Sequence, residues 1–317
     1  MWLGAFATQS VGCMRLEIKK ITANMTQLQQ VIEDIASAGR ILSIQPGGNY
    51  GDYLIYRGFD KMLEKSTVEK IPFADGNERY DRPPDLPSGN IKDYLKWLSA
   101  HSNYLRNRLY HNVSAVYIQG GGNFNDLWMG GVNCYKAAAR YFSCPIIVGP
   151  QSCLFKSVDP KKVFEGVDNE THFFCREEYS YDIIEQATTD LEHVTPYLSQ
   201  DTALYLDTSD LSFDRLSEEY SLVAMRSDKE SAEPLIEYDI EGPLLVQDIS
   251  ITAGHFTDWV NLVAKAKVVY TDRLHVAILA TILDKPLYWY EATYHKSRGV
   301  YEYSLAEKDT IYFHYLW

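Results

Sequence analysis

The sequence is poor in cysteine, and its five, Cys13, Cys134, Cys144, Cys153 and Cys175, include no pair at Cys-x-x-Cys spacing. That argues against a zinc ribbon or a disulfide framework and leaves reduced thiols of a cytoplasmic protein. No cluster of His, Cys and carboxylate residues has metal-ligand spacing, so no metal is expected. Long apolar runs are missing too. No stretch approaches the roughly 20 residues of a membrane span. Met1 to Met14 lacks the basic leader and apolar core of a signal peptide. Positive charge is in deficit: 30 Lys and Arg against 43 Asp and Glu give a formal net charge of −13. This argues against a general nucleic-acid binder or an anionic-membrane binder, though local arginines can still hold a small anion. No Walker A loop, Gly-x-Ser-x-Gly elbow or clear G-x-G-x-x-G fingerprint is present, so Ser152 is not read as a hydrolase nucleophile.

What is present is a long alternation of strands and helices in a chain of 317 residues, 46% of them hydrophobic. Apolar runs at 40–44, 68–73, 115–118, 145–152, 171–177, 222–226, 243–247, 267–271 and 285–290 read as buried strands. Helical spacing appears between them, at 16–38, 53–65, 91–108, 133–142, 180–187, 256–265 and 272–283. Such an order predicts an α/β fold with a parallel sheet and helices on both faces. Residues 1–13 read as a tail, and 74–90, with Pro83, Pro84 and Pro87, as a long loop. Composition shifts to Asp, Ser and Glu at 207–220, which predicts two domains, 1–212 and 213–317. The aromatic end of the chain, 294–317, is expected to pack back on the first.

Three stretches carry chemistry. Pro46-Gly47-Gly48-Asn49-Tyr50-Gly51-Asp52 and Gln119-Gly120-Gly121-Gly122-Asn123-Phe124-Asn125-Asp126 each follow an apolar run and precede a helix. Both read as glycine turns that let a ligand approach backbone N–H groups at the positive end of a helix dipole. On neighbouring strands they would line one crevice at the sheet's carboxyl edge. Asp52 and Asp126 suit sugar hydroxyls, general-base work or plain helix capping. The third stretch, Asp272-Arg273-Leu274-His275, opens a helix after the strand ending at Thr271. Two potential cations beside free N–H groups form a phosphate or carboxylate site. Equally, Arg273 could pair with a nearby Asp, and His275 could be a core histidine. Arg176 ends another apolar strand and could face the crevice or pair with Glu177 or Glu178. His172 lies on the same strand, and Gly149-Pro150-Gln151-Ser152 reads as a turn on the same edge.

In order, the turn ending in Gly51-Asp52, Gly120-Gly121-Gly122-Asn123-Phe124, Gly149-Pro150-Gln151-Ser152, Arg176, Asp201 ahead of a short apolar strand, and Asp272-Arg273-Leu274-His275 resemble the motifs of polysaccharide pyruvyl transferases. The resemblance spans about residues 40 to 290. It implies two Rossmann-like halves facing a cleft, as in the GT-B glycosyltransferases. It implies transfer of pyruvate from phosphoenolpyruvate to two hydroxyls of a sugar or glycan acceptor, lipid-linked precursors included, with a cyclic ketal and free phosphate as products and no cofactor. Arg176, Arg273, Leu274 and His275 would hold phosphoenolpyruvate. Gly48, Asn49, Gly121, Gly122, Asn123, Gln151 and Ser152 complete the expected substrate contacts. His275 is the candidate acid or phosphate contact, with Asp52 or His172 as base. Such an enzyme would be cytoplasmic, extending to the membrane face where glycan precursors are built. A nucleotide-sugar glycosyltransferase is the competing reading, with Glu291 as its donor-ribose carboxylate. A non-catalytic sugar- or phosphate-binding module is a third.

Overall fold

Among the described residues twelve strands form two separate sheets, and every strand pair is parallel. The computed structural model describes residues 27–36, 39–64, 66–74, 102–109, 112–214, 219–231 and 242–316. The tail expected over 1–13, most of the loop at 74–90 and the start of the helix at 91–108 lie outside them. Of the helix expected over 16–38, residues 27–36 are described and helical, and Leu28 and Ile32 are fully buried.

The first sheet holds β1 (Arg40–Gln45), β2 (Glu69–Ala74), β3 (Val113–Ile118), β4 (Gly121–Asn125), β5 (Ile146–Leu154), β6 (Thr171–Cys175) and β7 (Val194–Leu198). Their order is β2-β1-β3-β5-β6-β7, with β4 beside the far end of β5. Continuous apolar runs such as Ile41–Ile44 are buried because helices cover both faces of a parallel sheet. The helices are α1 (Tyr50–Leu63), α2 (Gly130–Tyr141) and α3 (Glu178–Thr188). The second sheet holds β8 (Tyr220–Ala224), β9 (Leu244–Val246), β10 (Ala266–Thr271), β11 (Leu287–Tyr290) and β12 (Ile311–His314), in the order β12-β11-β10-β8-β9. Its main helices are α4 (Phe256–Ala264) and α5 (Leu274–Ile282). The molecule is therefore two Rossmann-like halves.

Strand order reverses once in each sheet, between β1 and β3 and between β8 and β10. Ligands of open α/β sheets bind outside the carboxyl ends of strands at such a switch point. The two switch points bring Pro46–Asn49 and Gln119–Gly120 together in one half, and Arg226 and Asp272–Arg273 in the other.

The halves share apolar surface. Leu54 of α1 and Ala203, Leu206 and Leu211 belong to the same buried cluster as Trp259, Leu274 and Trp289 of the second half. Tyr50 donates to the carbonyl of Gly254 at 2.7 Å. From the far end of the chain, Gly299 packs on Glu177 and Glu302 accepts from the Tyr179 hydroxyl. Among the described residues no helix is long and apolar enough to cross a membrane.

Three sequence expectations need correction. The stretch 119–126 is not a turn between strand and helix. Gly121–Asn125 is strand β4, paired to β5 through Gly121–Gln151 and Phe124–Cys153. Its single apolar anchor, Phe124, is fully buried 4.7 Å from the Phe173 ring. Likewise Gly149–Ser152 is not a turn but the middle of β5, whose register shifts between Val148 and Gln151. The glycines there serve close chain passage: a Cβ at Gly120 would meet the Pro150 carbonyl at 2.6 Å. Finally, Asp201 precedes a 3-10 turn, Thr202–Tyr205, rather than an apolar strand, and its side chain caps that turn.

Candidate active site

The turn after β1 does form a strand–turn–helix unit. Gly48 takes φ +129°, a conformation that favours glycine. Asn49 and Asp52 then cap α1 reciprocally: Asn49 Oδ1 accepts from the Gly51 N–H and Asp52 Oδ2 from the Asn49 N–H, both at 2.8 Å. Capping leaves the Asp52 carboxyl at the cleft wall. Burial pushes it above its ordinary pKa, against the pull of His275, the Asn49 N–H and Arg176. Asp126, by contrast, is a loop cap. It accepts from the N–H groups of Lys156, Ser157 and Val158 on the exposed surface.

Across the cleft, α5 starts with Arg273 as its N-cap, and no side chain caps its first turn. The N–H groups of Leu274, His275 and Val276 thus open onto the cleft these three residues line, at the positive end of the helix. Arg273 itself is not a bare cation. Its guanidinium holds both oxygens of Asp248 and reaches Asp228 Oδ2 at 3.3 Å. The Asp partner considered from the sequence is therefore real, and it fixes the arginine at the cleft wall.

Arg176 emerges after β6 and is 1% exposed. It pairs with neither Glu177 nor Glu178. Its Nε donates to Ser152 Oγ at 2.8 Å and its Nη1 to Asp201 Oδ2 at 2.7 Å. His275 Nε2 lies 3.4 Å from both that Asp201 oxygen and Arg176 Nη1. Burial alone would raise Asp201, but the His275 hydrogen bond and the Arg176 charge win and hold it well below the usual carboxylate range. The remaining guanidinium nitrogen, Nη2, faces Gly122. Gly51 makes room for the histidine, since a Cβ there would stand 2.6 Å from the His275 Cβ and 2.7 Å from Nδ1. Two chain halves thus meet at one Arg–Asp–His cluster.

These groups open onto a cleft of about 320 Å³. It gathers Gly48, Asn49, Asp52, Gly122, Asn123, Arg176, Arg273, Leu274 and His275. Other expected residues lie elsewhere. His172 is near the start of β6, away from the carboxyl edge, where it bonds Tyr197 and Glu170. Gln151 ties β5 to β3 through the Gln119 carbonyl, and Ser152 stands behind Arg176. Gly121 lies against Asp52 without lining the cleft. Glu291 accepts from Arg298 and the Leu316 N–H and has no place in the cleft wall.

The sequence reading missed Arg226, Asp228, Glu230, Lys296 and Trp128, all in the wall. Arg226 follows β8 as Asp272–Arg273 follow β10, and that symmetry of switch points was the available signal. Asp272 joins them by accepting from the Arg226 N–H at 2.8 Å, and burial raises its carboxyl to about 6. Lys296 carries no local signal. It follows an aromatic strand and enters the site only through the fold.

Comparison with known proteins gives the family. Residues 49–292 match the polysaccharide pyruvyl transferase family. A crystal structure titled as a functional uncharacterized protein, KP1_0663 from Klebsiella pneumoniae subsp. pneumoniae NTUH-K2044, is similar in fold. It has TM-score 0.63 at 23% identity, over 92% of this chain and 98% of that one. E. coli heptosyltransferase WaaC with ADP is more distant, with TM-score 0.44 at 11% identity over 87% and 93% of the two chains. No curated protein matches the sequence. With the match covering most of its length, the chain belongs to the polysaccharide pyruvyl transferase family and is an enzyme of that class.

Proposed function

We propose that the cleft binds phosphoenolpyruvate and transfers its pyruvate to two hydroxyls of a sugar, forming a cyclic ketal and releasing phosphate. One observation carries this above all. Arg176, Arg273, His275 and the uncapped first turn of α5 converge on one small cleft. Phosphoenolpyruvate carries a carboxylate and a phosphate, and two fixed guanidinium groups plus helix N–H groups suit that pair. The volume lies at the small end of the roughly 300–1,000 Å³ range of ligand pockets, which suits a compact donor.

In this reading His275 protonates the methylene carbon, leaving an oxocarbenium-like centre at C2. One sugar hydroxyl attacks, phosphate leaves, and the second hydroxyl closes the ketal. Asp52 lies on the opposite wall, and its raised carboxyl suits it to take a hydroxyl proton. No cofactor or metal enters the reaction. The acceptor is a sugar or glycan precursor, lipid-linked ones included, met in the cytoplasm or at its membrane face.

A thermal-shift titration tests the donor. Phosphoenolpyruvate is compared with UDP- and GDP-sugars on wild type and Arg273→Ala. A ligand at a hundred times its Kd stabilises by about 2.7 kcal/mol. Stabilisation by phosphoenolpyruvate alone, lost in the variant, supports the reading. Stabilisation by a nucleotide sugar alone replaces it with glycosyl transfer.

A further inference from the structure

Lys296 lies outside every motif of the sequence, yet it lines the cleft and is 7% exposed. It sits near Gly122 of the first half, with its ammonium 5.0 Å from the Tyr294 ring centroid. The charged groups facing it are Glu230 and Arg226 from the segment after β8, Arg176 from the end of β6, and Asp52 from α1.

The four cations of the cleft are held differently. Arg176 has Asp201, and Arg273 has Asp248. Arg226 grips Asp228 through two N–H groups and also holds Glu230 at 2.7 Å. Among the described residues Lys296 has Glu230 as its one carboxylate partner, and Glu230 accepts from Arg226 and from Trp128 Nε1 as well. Moving Arg176 or Arg273 would strand a buried carboxylate, which is strongly unfavourable. Moving Lys296 leaves Glu230 with two donors. Lys296 is thus the cation that an arriving anion can recruit. It is also the only one of the four able to give up a proton, because a guanidinium does not.

We propose that Lys296 is a second catalytic residue of this cleft. Its ammonium moves from Glu230 to the ester oxygen of the bound donor's phosphate and protonates that oxygen as the C2–O bond breaks. The proposal rests on phosphoenolpyruvate as donor. The broken bond's electron pair stays with the oxygen, and phosphate departs as hydrogen phosphate. Ketal formation releases two hydroxyl protons. One replaces the proton His275 placed on the methylene carbon, and the other returns to the neutral amine of Lys296. Burial, with Arg226 and Arg176 nearby, lowers Lys296 to about 8, a value matched to proton transfer near neutral pH.

The test is calorimetric titration of the full chain with phosphoenolpyruvate at about pH 7 and about pH 9.5, on wild type, Lys296→Arg and Lys296→Met. Thermal unfolding first establishes that the variants fold, and the wild-type pH dependence needs no variant. With an ammonium of pKa about 8, wild type should lose about 30-fold in affinity across that interval. Lys296→Arg should change by less than about threefold. With a panel of methyl pyranosides as acceptors, phosphate release by Lys296→Arg should fall about 100-fold or more at saturating donor. A wild-type affinity flat with pH, or an undiminished rate in Lys296→Arg, overturns the assignment while leaving the donor reading intact. Absence of phosphoenolpyruvate binding to wild type at either pH overturns the donor reading and the assignment with it.

Discussion

Replacing Arg176 by Met tests the cluster that joins the two halves. Arg176 and Asp201 are both 1% exposed, and their 2.7 Å contact is made out of water. Removing one member of such a pair costs about 3–5 kcal/mol, because the other charge stays buried. That is a large share of the roughly 5–15 kcal/mol by which folded proteins are stable. The loss should lower Tm by about 2–4 °C per kcal/mol. The pH dependence is more diagnostic. In wild type the Asp201 carboxyl lies well below its ordinary range. Its contribution is therefore present above the unfolded carboxylate value and disappears only as pH falls through the folded one. In Arg176→Met that contribution is gone, so the gap to wild type should be full near neutral pH and narrow as pH falls below the unfolded carboxylate value. Urea unfolding at several pH values measures both effects. A total loss under about 1 kcal/mol near neutral pH, or a gap that does not narrow in acid, refutes the reasoning. Arg176→Met combined with Asp201→Leu should recover part of the loss, since no charge is then left unpaired.

Three further outcomes are expected. Gly51→Ala drives a methyl into the His275 ring and should reduce kcat about 10- to 100-fold with the fold retained; circular dichroism and phosphate release check this. Asp272→Asn keeps an acceptor for the Arg226 N–H but removes a carboxyl raised to about 6. A raised carboxyl favours the folded state below its unfolded pKa, and that advantage is lost as pH rises through about 6. The variant should therefore gain up to about 3 kcal/mol near pH 8 and nothing near pH 4, read from paired melts. His172→Gln should leave kcat and KM within about twofold, because the side chain bonds Glu170 and Tyr197 away from the cleft; a tenfold loss would return His172 to the candidate bases.

The sequence made legible those features that one segment determines. Ile41–Ile44 reads as a strand because parallel strands are apolar on both faces, and Asn49–Asp52 reads as a helix start because the cap is local. Motif order also carried the family. The stretch 121–125 does not read as a strand because its two glycines hide the alternation that only Phe124 marks. His172 and Arg176 share one strand, yet only Arg176 reaches its carboxyl end, and short strands do not announce which residue comes last. The pairs Arg176–Asp201, Arg273–Asp248 and Lys296–Glu230 span 25 to 66 positions of chain, pairings that no local pattern records. Lys296 is the extreme case. Its neighbours come from α1, β6 and the segment after β8, so its role exists only once both halves are folded.

The most direct measurement is to incubate the protein with 13C-labelled phosphoenolpyruvate and a glycan panel and follow label and phosphate together by NMR. The expected result is label in a ketal carbon and methyl group, with one phosphate released per ketal and none formed by Arg273→Ala. Label that stays in phosphoenolpyruvate while a nucleotide sugar is consumed would contradict pyruvyl transfer as the reaction of this cleft.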